Sequence, residues 1–222
     1  AGVTMSLERR KRILEIAREN NLFILEDNPY DKIRFEGEEI PSIFALDSDG
    51  YVISLGTFSK ILCPGLRLAW ITGNHDIIEK ITTLKQATDI CTPILNQMIA
   101  SEYCWHGNLE NNIQKNIDIY RKKRDVMLKS LKKYFPKETS WTKPEGGFFI
   151  FVTLPEYFNT DEMLQEAIKE KVVYVSGSSF YANNQGKNTM RLSFCYPKEE
   201  DIEEGIKRLG KVISNKIKSV NI

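Results

Sequence analysis

The segment "LGTFSKILCPGLR" at 55–67 brings together Lys60, the hydroxyls of Thr57 and Ser59, a Pro64-Gly65 turn and Arg67. A solvated face scatters its charges, whereas here an amine, a rigid turn and a guanidinium follow one another closely. A lysine amine becomes a useful nucleophile when it condenses with a carbonyl to a Schiff base. Arg67 adds a planar, permanently charged fork suited to a phosphate. Upstream, Asp27 closes the apolar run "LFILED", and Tyr30 follows three residues later. An amine, an anion seat, a carboxylate for a ring nitrogen and a phenol for a ring oxygen make the set that pyridoxal phosphate needs.

Taken singly, each residue also has a plain structural reading. Lys60 can be an exposed lysine, Arg67 a strand-end charge and Tyr30 a core aromatic with a wet hydroxyl. Asp27 before Asn28-Pro29 can be an Asx turn. "TFSK" is no S-x-x-K nucleophile motif, because Thr57 stands at the serine position and neither S-D-N nor K-T-G occurs in the chain.

The elements that must position these groups can be read from periodicity. "SLERRKRILEIARENN" predicts an amphipathic helix with Ser6 as its N-cap. "LFILED" (22–27), "YVISLG" (51–56) and "RLAWITG" (67–73) are short continuous apolar runs. They predict strands of a mainly parallel sheet covered on both faces. In such sheets ligands gather beyond the carboxyl ends of strands, where Asp27 and residues 57–60 fall. From "DIIEKITTLKQA" on, the pattern turns helical, with one long helix over 109–135. Within it, "RKKR" at 121–124 reads as a solvated face. "GGFFIFVTL", "KVVYVSG" and "TMRLSF" predict strands around the helix "TDEMLQEAIKE", and a last helix carries Ile202, Ile206, Leu209 and Ile213. The order predicts an α/β domain at 1–106 and a smaller α+β domain at 107–222.

The composition is that of an ordinary globular chain: 222 residues, 41% hydrophobic, with 31 basic and 30 acidic residues for a net charge of +1. No overall field favours nucleic acid or anionic lipid. Four scattered cysteines and only two histidines, with no C-x-x-C pair, argue against a metal site and for unpaired thiols. With no signal peptide or long apolar run, the expectation is a cytoplasmic protein without membrane contact.

Four segments, "EDNPYDKIRFEGEEIP", "ISLGTFSKILCPGLRLAWITG", "WTKPEGGFFIFVTLP" and "NTMRLSF", resemble in order and spacing the fold-type I, class I/II pyridoxal-phosphate aminotransferases. The likeness is greatest to 2-aminoadipate and kynurenine-like aromatic aminotransferases. The resemblance implies a PLP-transferase-like α/β fold. It makes this chain the remaining half of a large, mainly parallel-sheet domain plus a small α+β domain. It also implies a catalytic role for Lys60 as the Schiff-base lysine that later moves a proton at the substrate. Asp27 would face the pyridine nitrogen and Tyr30 the phenolic oxygen. Thr57, Ser59 and Arg67 would form the phosphate cup, and Arg191, in "MRLSF", would grip the substrate carboxylate.

"AGVTMSLERR" reads as the tail of an N-P-(A/T)-G motif, with Ala1 and Gly2 as its last letters. The chain is therefore expected to be an inactive fragment of a homodimeric transferase of amino-acid metabolism. Its small-molecule partners would be an α-amino acid and a 2-oxo acid. "SGSSFY" (176–181) stands where the family has P-G-x-x-F, and Ser176 in place of proline predicts a softer loop. The alternative is the aminotransferase-like domain of a MocR-type transcriptional regulator, sensing PLP or an effector; nucleic-acid contact would not come from this chain. "EDNPYDKIRFEGEEIP" has the enzyme-like form.

Overall fold

The structure, a computed structural model, describes residues 2–183 and 185–220, so Ala1 of the N-terminal motif lies outside the described residues. The chain divides into two compact units, one of Met5–Ile117 and one of residues 2–4 with 118–220, the division falling inside a long helix.

In the first unit, α1 (Leu7–Glu19) starts at Ser6, whose hydroxyl accepts from the Arg9 N–H. This satisfies one of the donors that a helix start leaves open. Strand β1 (Ile24–Asp27) follows, then the short helix α2 (Ile43–Leu46), β2 (Val52–Thr57) and β3 (Ala69–Thr72). The three strands lie in the order β1-β2-β3. β1 and β2 run parallel, with Asp27 beside Leu55, whereas β3 is antiparallel to β2, with Ala69 beside Thr57. The reversal follows from chain length: the 58–68 link holds no crossover helix, and a parallel return needs one. Helices α3 (His75–Asp89), α4 (Ile94–Trp105) and the start of α5 (Asn108–Tyr134) complete the unit.

Leu14, Ile43 and Val52 form its small core, with Ile13, Ile24, Phe44 and Leu46 packed around them. The expected cover on both faces is not present: Leu25 is 64% exposed, Trp70 44% and Ile71 42%. In β1 side chains alternate and leave Leu25 on the bare face, whereas all four residues of the edge strand β3 are exposed, so neither face of that strand is covered.

The second unit carries β4 (Ser140–Trp141), β5 (Phe149–Thr153), β6 (Val175–Ser176) and β7 (Thr189–Ser193) in the order β4-β5-β7-β6. All its pairings are antiparallel. Ile150 and Val152 of β5 and Met190 and Leu192 of β7 are buried. So are Met163 of α6 (Thr160–Lys169) and Leu209 and Ile213 of α7 (Glu199–Val220).

Two expectations are corrected here. "KVVYVSG" is strand only at 175–176. Lys171 takes a left-handed φ of 61° and the Val172 N–H donates to the Ala167 carbonyl, so these residues finish α6 instead. "RKKR" is no uniformly solvated face: the Arg124 side chain is 7% exposed, pairs with Asp125 and donates to the Pro144 carbonyl. Arg124 lies three and seven residues before buried Met127 and Leu131, which puts it on the inward stripe of α5.

Candidate active site

Asp27 is the last residue of β1, and Lys60 stands three residues beyond the end of β2. Because β1 and β2 are parallel and adjacent, their carboxyl ends share one edge. β3 enters from that same edge, since its first residue pairs with Thr57, and Arg67 lies two residues before it. The topology thus gathers Asp27, Tyr30, Thr57, Ser59, Lys60 and Arg67 at one end of the three-stranded sheet, as the strand-end rule predicts.

Local hydrogen bonds shape that end. The Thr57 hydroxyl donates to the Leu68 carbonyl at 3.1 Å and accepts from the Ser59 N–H at 3.1 Å. The Phe58 N–H donates to Leu68 as well, and the Phe58 carbonyl accepts from the N–H groups of Leu62 and Cys63. Lys60 therefore sits inside a closed turn, half-buried, between buried Val52 and Ile61 along the chain. Pro64–Leu66 make a single 3-10 turn, and Arg67 ends it with φ 52° and ψ 40°. One nitrogen of its guanidinium donates back to the Pro64 carbonyl at 3.1 Å. After β1, the Asn28 N–H donates to Leu55, and the Tyr30 carbonyl accepts from the N–H of fully buried Ile33. Among the described residues, neither Asp27 nor Lys60 is engaged in a side-chain hydrogen bond or ion pair.

One carboxylate that the sequence reading passed over is structural. Glu26, buried beside Asp27, accepts from the N–H groups of Ile43 and Phe44 at 2.8 and 2.9 Å and so caps α2. Two consecutive acids at a strand end point to opposite faces, and their roles divide accordingly.

Arg191 belongs to the other unit. It pairs across the sheet with Phe151 and Val175, on the face opposite buried Met190 and Leu192. Its guanidinium carbon lies 4.0 Å from the centroid of Phe149 and 4.7 Å from that of Phe180. Two aromatic faces hold this mid-strand cation. Ser176 is buried and paired with Met190 rather than loose. It leads into a 3-10 turn, Gly177–Phe180, whose Ser178 hydroxyl donates to the Asp161 carboxylate. Gly2 has φ +66°, and a Cβ there would stand 2.8 Å from the Phe149 carbonyl oxygen, so only glycine fits.

The chain belongs to the aminotransferase class I and II family, whose model matches residues 1–209. It is 48% identical over 218 residues to aromatic-amino-acid aminotransferase 1 of Thermococcus litoralis, covering 98% of this chain and 52% of that protein. To the 2-aminoadipate transaminase of Thermus thermophilus it is 38% identical over 215 residues, 96% of this chain and 54% of the relative. Among solved structures, a Pyrococcus horikoshii kynurenine aminotransferase in complex with PMP superposes with a TM-score of 0.94 at 48% identity. That match covers 97% of this chain and 54% of the other. The fold is therefore the fold-type I α/β fold of these enzymes, and the chain spans about half the length of the curated relatives it matches. Proteins described as HTH-type transcriptional regulators match at 32% identity or less.

Proposed function

We propose that the full-length protein is a pyridoxal-phosphate-dependent aminotransferase, moving an amino group from an α-amino acid to a 2-oxo acid. The observation that carries this is the convergence of Asp27, Lys60 and Arg67 at one sheet end. The donor set fits the cofactor: an unengaged amine, an unengaged carboxylate and a guanidinium with nitrogens to spare stand on three neighbouring backbone segments. When bound, that cofactor supplies an electron sink for the bond changes at the substrate carbon.

The chain's own residues do the rest. Lys60 would hold the cofactor through Nζ, and the same amine, when free, would carry a proton to and from the substrate Cα. The Asp27 carboxylate would hold the proton of the ring nitrogen. The Tyr30 hydroxyl would donate to the ring oxygen. Ser59 and Arg67 would bind the phosphate, and Thr57, whose own proton goes to Leu68, orients the Ser59 backbone. Arg191, held against Phe149 and Phe180, would present its fork to the substrate carboxylate.

Relatives named for aromatic amino acids, kynurenine and 2-aminoadipate, and a similar structure named for alanine and glyoxylate, support an α-amino acid as donor. In the same reading residues 1–106 are part of the cofactor domain and 107–222 the small domain. The intact protein is cytoplasmic and a homodimer; bare Ile94, Leu95, Met98, Ile99 and Trp105 on α4 support the second of these. Among the described residues no helix is long and apolar enough to cross a membrane. Residues 1–222 alone are expected to turn over no substrate, because they span about half the length of the relatives. The regulator reading has weaker support, since the regulators named above match at 32% identity or less, below the 48% and 38% of the aromatic-amino-acid and 2-aminoadipate enzymes.

Borohydride reduction of the cofactor-loaded full-length protein, followed by peptide mapping, tests the assignment. The label is expected on Lys60, and Lys60→Ala is expected to abolish amino transfer. Unaltered transfer by that variant would refute the role.

A further inference from the structure

Two asparagines outside every motif hold the segment between the amine and the guanidinium. Asn112, on α5, donates from Nδ2 to the carbonyl of Ile61, the residue after Lys60, at 2.7 Å. Asn96, in the first turn of α4, donates to the carbonyl of Leu66, the residue before Arg67, at 3.0 Å. Both bonds are partly buried.

Each bond fixes a peptide plane that matters. The Ile61 carbonyl shares its plane with the Leu62 N–H, which itself donates to the Phe58 carbonyl at 2.8 Å. Asn112 and Phe58 thus grip one plane from its two ends and close the turn that carries Lys60. The Leu66 carbonyl shares its plane with the Arg67 nitrogen, so Asn96 orients the bond about which Arg67 keeps its left-handed φ. A non-glycine residue stays in that region only where its surroundings over-determine it.

We infer that Asn112 and Asn96 are positioning residues of the reaction site: Asn112 sets the aim of Lys60, and Asn96 sets the aim of Arg67. This rests on the aminotransferase reading above. The division of labour makes it testable in the full-length protein with Asn112→Asp and Asn96→Asp, which keep the size and remove the donor. Lys60 is titrated with pyridoxal phosphate and with unphosphorylated pyridoxal, and each adduct is reduced and located by peptide mapping.

Asn112→Asp should weaken both ligands about tenfold and leave their ratio unchanged. Asn96→Asp should weaken only the phosphorylated ligand, cutting the preference for phosphate about tenfold. Equal loss of both ligands in both variants signals general loosening, and that result, or unchanged affinities, overturns the inference. A wild-type protein that traps nothing at Lys60 defeats the aminotransferase reading instead. Amide hydrogen exchange over 58–67 then decides the clamp: about tenfold faster in each variant supports it, and unchanged exchange refutes it. Asn→Ser at either position replaces an aspartate variant that does not fold.

Discussion

Arg67 is held where a side chain is disfavoured. A left-handed backbone costs a non-glycine residue about 1–2 kcal/mol, yet glycine there would lack the guanidinium. Arg67→Gly is therefore expected to leave unfolding free energy unchanged or raised by about 1 kcal/mol, while pyridoxal phosphate affinity falls at least tenfold. Urea titration beside cofactor titration checks both halves. The gathering of Lys60, Asp27 and Arg67 at one sheet end was legible from the short apolar runs that place each beside a strand end. Asn96 and Asn112 were not, since an amide that caps a distant carbonyl leaves no local pattern in sequence. Glu26 was hidden for a related reason: its partners, the N–H groups of Ile43 and Phe44, lie seventeen and eighteen residues away.

At the scale of elements, periodicity located α1, α3, α5, α6 and α7, because an amphipathic stripe is written in local order, while α4 fell in a stretch read only as helical. Pairing direction and cover were harder to read. "RLAWITG" looks like its parallel neighbours, and only the missing crossover helix before it betrays an antiparallel strand. "RKKR" reads as solvent-facing until α5 is phased against Met127 and Leu131. The turn after β6 illustrates how tightly elements are seated. A Cβ on Gly177 would stand 1.7 Å from the Thr189 hydroxyl oxygen and 2.7 Å from its backbone carbonyl carbon. Gly177→Ala is expected to destabilise the protein by about 2–3 kcal/mol and to weaken substrate-carboxylate binding through the displaced Phe180–Arg191 contact. Thermal melts and KM measured in the full-length protein check this, with kcat the less affected.

For the molecule as a whole, stability should respond to alkali chiefly through one buried phenol. Tyr174 is 4% exposed and donates to the Thr160 carbonyl at 2.6 Å, and burial pushes its pKa well above the ordinary tyrosine range. The folded protein then keeps a proton that the unfolded chain loses near pH ~10, so stability declines as pH rises beyond that point. The expected slope from this residue is about 1.4 kcal/mol per pH unit, and Tyr174→Phe should remove it in urea titrations from pH 8 to 11. The bare apolar positions on β1, β3 and α4 carry the opposite lesson. Their hydrophobic runs were plain in the sequence, but what covers them is a property of assembly that one sequence does not spell out. The eleven-residue bridge from β2 to β3 has a last consequence. Lys60 and Arg67 ride on a single short span clipped to one strand pairing, so inserting or deleting a lone codon there would misplace both together. Apart from Ser59, Lys60 and Arg67, drift in this protein should tolerate substitution along that bridge far better than any change in its length.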